Sequence, residues 1–251
     1  MVEYSIKTTH YIYYLQFISG AHMDYTAKPN LSMSSAVVAL LSLPVAIALA
    51  ETPPARVEAP EVKIGDTWTF DHIDGWKKER DYTSVTTVVS LEDNGSRTET
   101  ITRTDNGIVA TNTRTKDLNQ MIRDTPSGKF IATPYIPTFS FPLEAGKTWE
   151  QEVANTRSRD LSRKVIWQAQ GKVIGWEKVT VPAGTFDALK VVIKGYYRGS
   201  DAHNSWSGER TDTVWYVPEA RRYVKWIYMD VPRGKVMDHE IYELAAYKLA
   251  Q

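Results

Sequence analysis

The sequence predicts an all-β protein: a curved antiparallel sheet or open barrel built from hairpins, preceded by an N-terminal signal segment. Three observations carry this. Two β-rich runs, Val179–Val181 and Thr185–Ile193, meet at a Pro182-Ala183-Gly184 corner. There Pro182 suits the second position of a type I turn, and Gly184 suits the left-handed residue that closes it as a one-residue bulge. Asn94-Gly95 and Asn106-Gly107 are hairpin signals set between alternating runs rich in Val and Thr. After residue 50 no stretch sustains a 3.6-residue apolar period with helix caps.

Residues 1–32 read as a mispredicted extension or an atypical n-region, because they carry only Lys7 and Lys28 beside a Tyr-rich patch, with a true start expected at Met23 or Met33. Residues 33–50 read as a signal peptide: the uncharged apolar run 36–50 ends in Ala48-Leu49-Ala50 and is too short for a comfortable membrane span of about 20 residues. Cleavage is expected after Ala50. Residues 51–61 are Pro-rich and polar, which predicts an extended linker rather than a packed element.

The folded domain is expected over 62–251. Gly65-Asp66-Thr67-Trp68 opens its first strand, with Trp68 and Phe70 on one face, and Gly146-Lys147-Thr148-Trp149 repeats that spacing. The echo divides the domain into candidate halves, 62–142 and 143–251. Thr83–Glu92, Arg97–Thr104 and Ile108–Arg114 read as a three-stranded meander. Five prolines and glycines from Pro126 to Pro142 then predict short strands around Lys129–Thr133 and Thr138–Phe141. Lys164–Gln170 and Lys172–Val181 lead into the Pro182 hairpin, beyond which Leu189, Val191 and Ile193 share a core face. After the polar loop 199–208 come strands over Thr211–Val217, Tyr223–Met229 and about Val236–Leu249.

The charge balance, 30 basic against 30 acidic residues, gives no global field toward nucleic acid or an anionic membrane. The absence of cysteine excludes disulfides, thiolate metal sites, a cysteine nucleophile and a lipid-modified N-terminal Cys. No Gly-rich phosphate loop, nucleophile elbow or His-Glu-x-x-His run is present. Asp201-x-His203 with Ser205 has the composition of a hydrolase triad, but one short loop reads more simply as solvated turn. His72 between Asp71 and Asp74 is a weak cation candidate that reads as a surface turn. Asp66, Glu150, Glu177, Asp187, Asp212 and Glu243 could include an acid/base pair, yet no spacing selects two of them. No residue is assigned to catalysis, to a cofactor or to a metal.

Eight tryptophans and 14 tyrosines are the notable excess. Trp68, Trp149, Trp167, Trp176, Trp215 and Trp226 fall in strands and would fill a sheet core. Trp76 and Trp206, in polar stretches, are candidates for the rim of a ligand cavity, and Arg222, with Arg221 and Lys225, could receive an anionic head group there.

Gly65-Asp66-Thr67-Trp68, the Val181-Pro182-Ala183-Gly184-Thr185-Phe186 hairpin, Trp215-Tyr216-Val217-Pro218, Tyr223-Val224-Lys225 and the final Glu243-Leu244 with Tyr247 together resemble the TapB-like group of exported bacterial envelope proteins, over about residues 62–249. The resemblance implies an exported curved sheet or open barrel, akin in shape to periplasmic lipoprotein carriers, and it brings no catalytic residues. Arg221 stands where such proteins often have Gly in the turn after Trp-Tyr-x-Pro.

These readings predict a non-catalytic protein, periplasmic or secreted, that binds a hydrophobic or amphipathic ligand, lipid-like or otherwise apolar, or serves another envelope protein as an accessory module. The alternatives are an interaction module using a sheet edge and a hydrolase on a β scaffold. Membrane contact is expected only through the signal segment.

Overall fold

A computed structural model describes residues 53–251, so the readings on the extension 1–32, the signal peptide 33–50 and the cleavage after Ala50 lie outside the described residues. In the first part of the chain β1 (Arg56–Val57), β2 (Thr67–Asp74), β3 (Arg80–Leu91), β4 (Arg97–Arg103), β5 (Val109–Arg114), β6 (Gln120–Thr125) and β7 (Gly128–Ile136) follow one another. Then come β8 (Leu143–Glu144), β9 (Thr148–Arg157), β10 (Asp160–Val181), β11 (Gly184–Ser200), β12 (Ser205–Val217), β13 (Arg222–Pro232) and β14 (Asp238–Lys248). Among the described residues every regular element is a strand.

β2 to β7 and β9 to β14 form one ring of twelve antiparallel strands, closed by the β7–β9 and β14–β2 pairs. The expected curved sheet thus curls until its edges meet. Closure leaves none of the twelve strands with an unpaired edge, which removes the basis of the sheet-edge reading. β1 and β8 pair separately, and Val57 is buried at 5% exposure, so part of the segment expected as a linker packs on the domain. Trp176 holds it from the other side by donating its indole N–H to the Pro54 carbonyl at 3.1 Å.

The strand registers sort the barrel into two ends. At one end inward side chains such as Trp68, Val88, Val153, Val173, Leu189, Ile193, Val214, Tyr216 and Leu244 are buried together as a core. At the other end the inward positions of the same strands, among them His72, Arg103, Arg157, Tyr197 and Tyr228, line a cavity instead. A ring of about eight strands is just narrow enough for side chains to fill, so twelve strands leave room at whichever end is not plugged.

The two Gly-x-Thr-Trp stretches have the same local geometry. Gly65 (φ +90°) donates to Val88 O, Val88 donates back to Asp66 O, and Asp66 donates to Lys63 O, at 2.9, 3.0 and 3.0 Å. Gly146 (φ +85°), Val173 and Lys147 repeat this with Val173 O, Lys147 O and Glu144 O, at 2.9, 2.9 and 3.0 Å. In each case the register slips just after the valine, between Val88 and Ser90 and between Val173 and Gly175, turning Val89 and Ile174 outward. Each motif therefore starts a run of six strands and bends the second of them around the filled end.

The Pro182 hairpin is present, with one difference. Val181 pairs with Gly184 and Thr180 with Thr185, so the tip is a two-residue loop without a bulge, and Gly184 lies at φ +140° rather than in the left-handed helical region. The tip is docked: Ala183 N–H donates to Leu244 O at 2.9 Å and Phe186 packs toward Tyr247. The bulge sits lower, at Val173/Gly175, where the hairpin bends toward β14. Leu189, Val191 and Ile193 are buried as the alternation requires, while Phe186 and Ala188 on the opposite face are buried as well.

Three other expectations change. Lys164–Gln170 and Lys172–Val181 are one strand, β10, carried across Gly171 because the Trp149 ring covers that glycine from the paired position on β9. Thr138–Phe141 is not a strand; Phe139 packs into the core and Asn119 holds its backbone at both N–H and C=O. The polar loop 199–208 shrinks to 201–204, with Ser205–Gly208 drawn into β12 by pairing with β11.

Candidate functional site

The hollow end contains two connected chambers of about 660 and 240 Å³, which share Gln120, Arg123, Thr125 and Tyr242. Alternation builds the wall. On β13, Trp226, Tyr228 and Asp230 face inward, and on β14 so do Asp238, Glu240 and Tyr242. Trp167 on β10, Tyr197 on β11, and Trp206 and Arg210 on β12 continue the larger, outer chamber. The smaller, inner chamber lies against β2 to β5, with His72, Tyr82, Ser84, Arg103 and Arg114 in its wall.

Three arginines of the outer chamber are paired with ring faces. The Arg157 guanidinium lies 4.6 Å over Phe130, that of Arg163 lies 4.7 Å over Trp206, and that of Arg210 lies between Trp167 at 4.5 Å and Tyr228 at 5.0 Å. Arg210 also makes a forked pair with the buried Asp212, at 2.7 and 3.2 Å, and Trp226 donates its indole N–H to the same carboxylate at 2.9 Å. Tyr197 donates to Asp230 at 2.7 Å and Tyr242 donates to Glu240. Burial raises the Asp238 and Glu240 carboxyls above the ordinary range.

Beneath the inner chamber, against the filled end, sits a buried ion cluster. Glu99 accepts from Arg222 at 3.0 and 3.1 Å, from Arg97 at 3.0 Å and from Arg114 at 2.9 Å. Burial pushes the Glu99 carboxyl up, but the guanidiniums of Arg222, Arg114 and Arg97 outweigh it and hold the group well below the usual range. Trp68 covers the Arg222 guanidinium at 4.6 Å. Arg97 Nη2 and Arg222 Nε, and in the outer wall Trp167 Nε1, are buried without a hydrogen-bond partner among the described residues.

The residues singled out from sequence fare differently. Trp206 lines the outer chamber, from a strand rather than a loop, with its ring over Gly199 across the ladder. Trp76 stands in the β2–β3 turn at the same end of the barrel, 54% exposed and edge-on to His239, outside the cavity wall. Arg222 is not a rim residue: at 2% exposure it is one of the three guanidiniums buried around Glu99. Arg221 instead takes the turn, at φ +53°, and pairs with the buried Asp66.

His72 is likewise not part of a surface turn. Alternation on β2 turns it into the inner chamber, away from Asp71, where it bonds Ser84 Oγ at 2.7 Å and stacks on Tyr82 at 4.0 Å. Burial, with Arg123 and Arg103 adding, lowers its pKa to about 4. Asp201 accepts the backbone N–H groups of His203 and Asn204, which is a turn cap and not a triad. Among the described residues no group of three or more His, Cys, Asp or Glu side chains is placed to hold a metal ion.

The chain's fold has distant likenesses among solved structures. A Parabacteroides distasonis ATCC 8503 protein classed as a lipoprotein matches at 13% identity over 76% of this chain and 99% of its own, with a TM-score of 0.43. A Bacteroides fragilis NCTC 9343 protein classed as exported, with a YmcC-like fold, matches at 14% identity over 77% and 99%, with a TM-score of 0.48. The hypothetical lipoprotein YmcC from Escherichia coli K12 matches at 11% identity over 74% and 85%, with a TM-score of 0.42. No protein-family model and no curated protein matches the sequence, so the TapB-like resemblance has no family match behind it.

Proposed function

We propose that this chain is an exported, non-catalytic β-barrel that holds an amphipathic small molecule in the hollow end of its lumen. One observation carries the reading: the same twelve strands that close over an apolar core at one end surround about 660 Å³ at the other, with rings and charges at the inward positions. That volume and mixed wall are those of a small-molecule site. The lining carries charge through the wall, where sequence placed polar groups at the rim, and it favours a ligand with both a ring or chain and polar groups.

The test is native mass spectrometry of protein purified from its own envelope fraction, followed by titration with amphiphiles while tryptophan emission is recorded. Bound ligand, with affinity lowered about tenfold by Trp206→Ala, is the expected result, since one stacked ring in a cavity is worth about 1 kcal/mol or more. A folded protein that neither carries nor titrates any amphiphile would end this reading. N-terminal sequencing of the exported form is expected to begin at Glu51.

The raised carboxyls of Asp238 and Glu240, both in the outer wall, favour a second reading, a glycosidase-like hydrolase. Turnover of a glycoside or ester panel that is lost in Glu240→Gln would establish it in place of pure binding.

A further inference from the structure

Resting on the reading that the lumen holds an amphipathic molecule, we infer that the inner chamber is an oxyanion site and that Arg123 receives the ligand's carboxylate, phosphate or sulfate head group. Two chambers of one cavity differ in sign. The outer wall mixes arginines with Asp230, Asp238 and Glu240, whereas the inner wall contains Arg103, Arg114, Arg123 and Arg222 and no carboxylate. The acids that pair with inner arginines stand outside that wall: Glu99 beneath Arg114 and Arg222, and Asp105 beside Arg103. Three guanidiniums on the single Glu99 leave two positive charges uncompensated under the chamber floor.

Arg123 is the guanidinium these pairings leave over. It lines both chambers, at their junction, and among the described residues it makes no ion pair, side-chain hydrogen bond or ring contact. The same wall holds Thr86 and Gln120, whose hydroxyl and amide can donate to an oxyanion's remaining lone pairs. At about 240 Å³ the inner chamber admits a head group and a few carbons, and the ring-lined outer chamber takes the rest of the molecule. Arg123 is solvent-exposed, so the attraction it offers an oxyanion weakens as salt is raised.

The experiment compares decanoate, decanol and inorganic phosphate by tryptophan emission, on wild-type protein, Arg123→Gln and Arg123→Lys, with unfolding midpoints checked for each. Decanoate is expected to bind about tenfold tighter than decanol, the effect of one charge-assisted hydrogen bond, and phosphate to compete with it weakly. Arg123→Gln is expected to bring decanoate and decanol within about twofold, and Arg123→Lys to restore part of the gap. Equal binding of decanoate and decanol to wild type, or an undiminished gap in Arg123→Gln, overturns the head-group inference and leaves the lumen reading standing. Failure of both amphiphiles to bind removes the lumen reading itself. Phosphate binding as tightly as decanoate would make the chamber a site for a free oxyanion and overturn the assignment to an amphiphile's head.

Discussion

Glu99 and Arg222 meet carboxylate to guanidinium, at 3.0 and 3.1 Å, from strands β4 and β13 that are 123 positions apart. The pair lies in the barrel interior where the packed end gives way to the cavity, with Arg222 in the chamber wall and Glu99 beneath it, so a stability feature underlies the floor of the candidate site. Neither group could be buried alone, because an unpaired ion in the interior costs several kcal/mol.

Loss of the acid is therefore expected to be far worse than loss of one base. Glu99→Gln leaves three buried guanidiniums without a counter-charge and should destabilise the fold by about 3 to 5 kcal/mol. Arg97→Met, at an equally buried position, relieves an excess positive charge and an unpartnered Nη2, and should cost about 1 kcal/mol or less. Urea midpoints of the two variants decide it; similar losses would contradict the charge argument.

Stability should fall on mild acidification through His72. Its folded pKa, about 4, lies below the ordinary value near 6.5, so the unfolded chain binds the proton first. The contribution is complete above about pH 6.5 and is lost as pH drops toward 4, by up to about 3 kcal/mol. Asp238 and Glu240, raised by burial, act in the opposite direction, so the informative quantity is the difference between wild type and His72→Gln. Parallel pH profiles for the two proteins would show that His72 is not shifted.

Gly184→Val is expected to cost about 1 to 3 kcal/mol, because a β-branched residue is strained at φ +140°. Space is not the obstacle, since an added Cβ would come no nearer to the Phe186 ring than 3.8 Å. Pro182→Ala is the mild control. Denaturant midpoints at the wild-type value for both would refute the turn.

Arg221 sets backbone strain against an ion pair. At φ +53° an L residue costs about 1 kcal/mol that Gly would not, while its guanidinium reaches the buried Asp66 at 3.2 and 3.3 Å. Arg221→Ala loses the pair and keeps the strain; Arg221→Gly loses the pair and the strain. The glycine variant is expected to be the more stable of the two by about 1 kcal/mol, measured by urea unfolding.

How far the sequence could be read depended on what each signal reports. The hairpins at Asn94-Gly95, Asn106-Gly107 and Pro182 were legible because turn chemistry is local. β6 was missed because Gln120–Thr125 does not alternate cleanly, its register slipping between Gln120 and Ile122. β10 was split at Gly171 because the covering ring, Trp149, comes from another strand.

The sequence by itself determined the all-β character, most strand positions and the paired Gly-x-Thr-Trp entries, since each follows from neighbours along the chain. Only the tertiary structure decided that the sheet closes, that one end fills while the other stays hollow, and that Arg222 and His72 point inward. The physical reason is that alternation tells which residues share a face but not whether that face meets solvent, a core or a lumen. In a ring of twelve strands a polar residue on the inner face is well placed as long as a partner arrives from across the barrel, as Glu99 does for Arg222.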